Sequence, residues 1–179
     1  MGPSAATTMR LELSRCTVRP WAETDVEALA RHANNRKVSI HLRDRFPFPY
    51  TPEHARKFLE WLVQQDSVSV WAIEVDGEAA GGIGIEQKTD VERVSAEIGY
   101  WLGESCWGRG IVTEALRAVT AEAFRRFELR RIYALPFADN PASVRVLEKA
   151  GYVLEGRLRQ SAIKDGQIRD QLLYATYRS

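Results

Sequence analysis

Apolar and polar positions alternate along residues 93–102. Val94, Ala96, Ile98, Tyr100 and Leu102 fall on one side, Ser95, Glu97, Gly99 and Trp101 on the other. A period of two is the mark of a half-buried strand. Residues 67–75 and 78–87 are strand-like too, and Asp76-Gly77 between them signals a two-residue hairpin turn. At residues 113–127 the period becomes helical, with Leu116, Val119, Ala123 and Phe127 on one face. Glu114 with Arg117, and Glu122 with Arg126, stand where they can pair across its wet face. Residues 25–33 predict a shorter helix, with Val26, Leu29 and Ala30 inward and Thr24 as N-cap. Thr51-Pro52-Glu53 reads as cap, first-turn proline and acidic first turn, opening a helix to about Gln64. Asn140-Pro141 opens another, which stops at Gly151 with Lys149 in its last turn. Residues 11–19, 131–136, 152–163 and 167–177 complete the strands, the last two turning at Asp165-Gly166. Phe46-Pro47-Phe48-Pro49-Tyr50 is an aromatic loop, because its prolines fix φ and remove donors.

This order predicts an α/β (α+β) fold with one mixed sheet and a right-handed crossover through residues 113–127. No linker or repeat divides the chain, so residues 11–179 are expected to form one domain behind a short disordered tail, 1–10, that lacks secretory features. The 179 residues are 45% apolar and 27% charged, enough for a self-sufficient core. Lys and Arg total 25 against 24 acidic residues, so nothing suggests a nucleic-acid partner. No apolar run approaches the roughly 18 residues of a membrane span. Cys16 and Cys106 form no C-x-x-C, and His32, His41 and His54 form no i, i+4 pair. Neither a metal site nor a disulfide framework is expected. The class is a reduced, cytoplasmic protein, monomer or homodimer.

Residues 102–115 carry the most chemical information: a strand runs through Gly103, Gly108 and Gly110 straight into a helix. The first helical amides have no intrahelical partner and the helix dipole adds positive charge there, so phosphate binding is the natural reading. Gly103 to Gly110 is a near miss for G-x-x-x-x-G-K-[ST], with Arg109 for the lysine and Gly110 for the metal-binding hydroxyl. A nucleoside-triphosphatase is therefore rejected. The G-x-G-x-x-G dinucleotide pattern is absent as well. The plainer alternative is a helix opened by glycines for packing alone.

Trp107-Gly108-Arg109-Gly110-Ile111-Val112-Thr113-Glu114-Ala115-Leu116 resembles the acetyl-CoA loop of GNAT-superfamily acetyltransferases, Q/R-x-x-G-x-G/A. More specifically it resembles the Rim-type branch that acetylates ribosomal-protein N-termini, where W-G-x-G-x-x-T-E-A is typical. Ala96 to Leu102, Asn140 to Ser143, Val146 to Tyr152, Glu155-Gly156, Thr17 to Pro20 and Asp170 to Tyr174 fit the same branch. The resemblance runs over about residues 10–178. Three positions depart from the family at large: Trp107 replaces Gln or Arg, Val112 a small residue, and Leu147 a common catalytic tyrosine.

The resemblance implies a GNAT fold, with a mostly antiparallel sheet of about seven strands splayed in the middle and helices on both faces. Pantetheine would fill the gap between strands 93–102 and 131–136. Amides near Trp101 and Leu102 would bond it and polarise the thioester carbonyl. The amides of Gly108, Arg109, Gly110, Ile111 and Thr113 would hold the pyrophosphate. Asn140, a helix N-cap in its own right, would also bond pantetheine. Glu97 is the candidate base, against a salt-bridged strand carboxylate. Ser143 is the candidate thiolate donor, against an ordinary first-turn serine. Arg145 and Lys149 fit a solvated helix face better than phosphate ligands. Cys106 lacks a base and is not read as a nucleophile. The 46–50 loop and Trp71 line the acceptor side or belong to core and rim. The implied activity is acetyl transfer from acetyl-CoA to a primary amine, with a peptide N-terminus favoured. A small-molecule amine, or a non-catalytic acyl-CoA-binding module, is the alternative.

Overall fold

The computed structural model describes residues 9–64 and 68–178. Eight strands make one sheet: β1 (Leu11–Glu12), β2 (Thr17–Arg19), β3 (Val68–Val75), β4 (Glu78–Gln87), β5 (Ser95–Leu102), β6 (Arg131–Ala134), β7 (Val153–Lys164) and β8 (Gln167–Tyr177). Their order across the sheet is β1-β2-β3-β4-β5-β6-β8-β7. Among the described residues only β5 and β6 pair in parallel, joined by the crossover helix α4 (Ile111–Arg126). The other helices are α1 (Val26–Ala33), the single turn α2 (Arg36–Ser39), α3 (Pro52–Val63) and α5 (Pro141–Lys149).

The strand expected over 11–19 is a hairpin of two short strands. Leu13 N–H bonds Cys16 O at 2.9 Å, and the Glu114 carboxylate accepts from Ser14 Oγ at 2.5 Å and Arg15 N at 2.9 Å. Glu114 therefore does not pair with Arg117, which donates instead to Lys149 O at the end of α5. Glu122 does pair with Arg126, and also with Arg125 at 2.7 Å. Thr24 does not cap α1. It sits inside a short turn, Glu23–Asp25, where the Asp25 carboxylate accepts from Ala22 N and from both Arg19 Nη atoms, each at 2.8 Å. Residues 1–8 of the expected tail lie outside the described residues, but Met9 is buried in the core. Trp71 is core as well, 2% exposed, and does not line the acceptor side.

The alternation of β5 divides the apolar residues between two layers. Ala96, Ile98 and Leu102 join Leu116, Val119 and Leu147 in a core under α4 and α5. Trp101 packs on the other face with Phe46, Tyr50 and Phe58, beside α1 and α3. Each such fully buried aliphatic side chain contributes roughly 1.5–3 kcal/mol.

The sheet opens in its middle. β5 and β6 pair only from Ser95–Arg131 to Glu97–Tyr133. Beyond that point β5 stays with β4 as far as Leu102. The chain after β6 stays with β8 instead, through Leu172 N to Pro136 O and Ala138 N to Asp170 O, both 2.9 Å. Gly81 permits the tight end of the β4–β5 ladder, where a Cβ would stand 2.4 Å from Trp101 O. Residues 36–44 cross the opening on the α1/α3 face. Arg43 reaches Glu97 on β5, Ile40 O accepts from Arg169 on β8 at 3.3 Å, and Asp44 accepts from Lys164 on β7 at 2.8 Å.

Candidate active site

Backbone polarity along β5 follows from its two ends. Lys88 N bonds Ser95 O at 3.0 Å, and Gly103 N bonds Ala80 O at 2.7 Å. Odd-numbered residues of β5 therefore direct their N–H and C=O groups to β4, and even-numbered ones direct theirs the other way. Past Glu97 that other way is the opening. Tyr100 and Leu102 thus present amides there, while Trp101 turns its backbone toward Gly82 on β4 and its ring into the α1/α3 cluster. Leu102 O confirms the parity by accepting from Trp107 Nε1 at 2.7 Å.

At the foot of the opening the chain makes one short turn, Glu104–Cys106, and enters α4. Gly108 and Gly110 have φ of +75° and +73°, conformations that carry little cost only for glycine. Gly110 is the N-cap and has no side chain to fold back, so the Ile111, Val112 and Thr113 amides receive no side-chain cap. Free amides, helix dipole and open space around Gly108 make a place for an anion. Arg109 bonds Asp76 Oδ2 at 3.1 Å, on the neighbouring hairpin turn. Arg15, which the sequence did not single out, lies over the loop, its Nε 3.5 Å from where a Gly110 Cβ would be. Val112 packs partly buried against the core.

α5 begins across the opening. Asn140 Oδ1 caps it, accepting Ser143 N at 3.2 Å, which leaves the Asn140 amide hydrogens for another acceptor. Ser143 Oγ is 2.8 Å from the Tyr100 hydroxyl, and burial pushes that phenol's pKa well up. Leu147, one turn on, is fully buried. Ser143, Asn140 and the Tyr100 and Leu102 amides therefore stand on the two sides of one gap.

Glu97 lies at the head of the opening on the α1/α3 face. Arg43 bonds its Oε1, and Lys88 Nζ is 3.6 Å from Oε2. It is the salt-bridged strand carboxylate that the sequence left as an alternative. Cys106 is buried. His32 packs against Gly103 and bonds Glu78 Oε1 at 3.0 Å through Nε2, a neighbourhood hidden by the 70-odd intervening residues. Among the described residues no group of three His, Cys, Asp or Glu side chains is placed to hold a metal, and no helix is long and apolar enough to cross a membrane.

Residues 15–153 match the family model described as the acetyltransferase (GNAT) domain. The chain is 32% identical over 158 residues to the ribosomal-protein-serine acetyltransferase of Escherichia coli K12, covering 86% of this chain and 88% of that one. Among solved structures it superposes on RimL, a ribosomal L7/L12 alpha-N-protein acetyltransferase in complex with coenzyme A. The TM-score is 0.84 at 26% identity, over 94% of this chain and 98% of that one. Mycobacterium smegmatis RimJ, in complex with a CoA disulfide, gives a TM-score of 0.82 at 28% identity, over 90% and 81%.

Proposed function

The chain belongs to the GNAT acetyltransferase family, an enzyme family whose acetyl donor is acetyl-CoA, and on that footing we propose that its acceptor is the amino terminus of a protein. The acceptor face carries this reading. Four carboxylates bordering residues 36–44 are each matched by a cation: Glu97 by Arg43, Asp44 by Lys164, Asp165 by Arg36, and Asp139 by Arg169 at 3.6 Å. A polyamine brings several charges and is best met by uncompensated carboxylates. A peptide terminus brings one, followed by neutral backbone. The ribosomal-protein acetyltransferases among the relatives support the same choice.

The donor end fits acetyl-CoA. The amides of Gly108, Arg109, Gly110, Ile111 and Thr113 are suited to its pyrophosphate, Arg15 adds charge, and Asn140 has donors left for its pantetheine. Bound there, acetyl-CoA supplies an activated acyl group and a thiolate leaving group. The Leu102 and Tyr100 amides, fixed by the strand, donate to the acyl oxygen as charge develops on it. Trp101 holds β5 against the α1/α3 layer and so keeps those amides in place. Glu97 takes the proton of the incoming ammonium, directly or through water, and Ser143 donates to the departing sulfur. Alignment of the two reactants does the rest, without a covalent enzyme intermediate.

The test is thiol release from acetyl-CoA with three separate acceptors: peptides bearing N-terminal Ser or Ala, spermidine, and an aminoglycoside. Peptide turnover at least about tenfold above the others is expected, a difference of roughly 1.4 kcal/mol. Preference for spermidine overturns the acceptor, and silence in all three with coenzyme A still bound makes the chain a binding module.

A further inference from the structure

α5 contains no tyrosine, and one turn beyond Ser143 it places the fully buried Leu147, so it offers no phenol to the site. The sheet provides one instead. Tyr100 reaches from β5 to α5, its hydroxyl 2.8 Å from Ser143 Oγ and 3.3 Å from Ser143 O. We propose that Tyr100 is a positioning residue for the thiolate donor, its O–H bonding Ser143 Oγ so that the serine's single hydrogen points to the departing sulfur. This rests on the role given to Ser143 above.

Hydrogen counting sets the direction. A serine hydroxyl has one hydrogen and two lone pairs. If Ser143 donated to the phenol, the sulfur would receive nothing from it. If the phenol gives its one hydrogen to Oγ at 2.8 Å rather than to the more distant Ser143 O at 3.3 Å, both hydrogens are used. Burial keeps the phenol protonated across the working pH range, so it remains a donor. The buried Tyr152, bonded to Thr120 Oγ1 at 2.7 Å, stays neutral for the same reason and adds no charge nearby. Asn140 holds the backbone N–H of Ser143, so the residue is fixed at both its main chain and its hydroxyl.

The experiment titrates the thiol of bound coenzyme A by the ultraviolet absorbance of its thiolate, in the wild type, Tyr100→Phe, Ser143→Ala and the double variant. It needs no acceptor, and binding in the same titration shows that each variant is folded. In the wild type the bound thiol should titrate below the value of about 8.5 for a free thiol. Each single variant should raise it by about one unit, the double variant no further. With a peptide acceptor, kcat of Tyr100→Phe should fall about five- to tenfold while KM for acetyl-CoA moves less than about twofold. A shift in Ser143→Ala but none in Tyr100→Phe overturns the proposal and leaves Ser143 as the donor. No shift in either removes Ser143, and the proposal with it.

Discussion

Asp25 illustrates how one residue can be misread from its neighbours. An acid and a threonine ahead of an apolar-periodic stretch spell a helix start, and α1 does begin there, but without a threonine cap. The carboxylate is instead the buried hub between β2 and α1, held by Arg19 and Ala22 N, while Arg19 Nε also reaches Glu74 at 2.5 Å. Hydrogen bonding to Asp25 first, and to Glu74 after it, holds the Arg19 guanidinium charged despite its burial. Asp25→Ala would leave that cation with Glu74 and the Pro20 carbonyl. A loss of about 3 kcal/mol is expected, readable as a lower urea midpoint at unchanged slope. The candidate site shows the same limit. Glu97 and Ser143 were legible as polar residues at marked positions of a motif. Their partners were not: Arg43 is 54 residues from Glu97, and Tyr100 is 43 from Ser143. Tyr100 itself read as an apolar member of an alternating strand, within the Ala96–Leu102 stretch that fits the family, and carried no role of its own.

Elements were legible where local chemistry decides them. Asp76-Gly77 and Asp165-Gly166 do turn their hairpins, with φ of +53° and +88° in the first and +51° and +74° in the second. Thr51 and Asn140 do cap their helices. The 11–19 hairpin was hidden because its tip is held by Glu114, 100 residues away from Ser14. Helix α4 carries two predictions. Hydrogen bonding to Arg125, then to Arg126, pulls the Glu122 pKa down from 4.5 to about 2. A depressed carboxylate stabilises the fold above its unfolded pKa and loses that contribution as pH falls through its folded one. Melting midpoints of Glu122→Gln and the wild type should therefore differ at neutral pH and converge between about pH 4.5 and 2, the gap staying under about 1 kcal/mol because Arg125, its main partner, is largely exposed to water. At the other end, Gly110→Ala forces a side chain into a left-handed conformation at roughly 1 kcal/mol and sets a methyl beside Arg15. Calorimetry should show coenzyme A binding weakened by at least about tenfold, a larger loss than the melting midpoint records.

Across the whole molecule, the decisive feature is a sheet that fails to close between β5 and β6. Periodicity predicts that both are strands; it says nothing of where their pairing stops, which depends on β8 keeping residues 136–138 and β4 keeping Leu102. A ligand seated in that opening binds the folded state alone. Coenzyme A at a hundredfold its dissociation constant should thus raise stability by about 2.7 kcal/mol, seen as a higher melting midpoint. Adenosine triphosphate with magnesium should leave the midpoint where it was. The parity of β5 has one more consequence. On the proposed reading, the groups it offers the thioester are backbone N–H groups, which every residue but proline possesses, whereas the opposite rim is assembled from side chains on residues 36–44 and the β7–β8 turn. Drift in the gene can therefore rewrite the recipient while the donor grip endures, so that a scaffold of this kind is re-addressed to new amines far more readily than to a new acyl carrier.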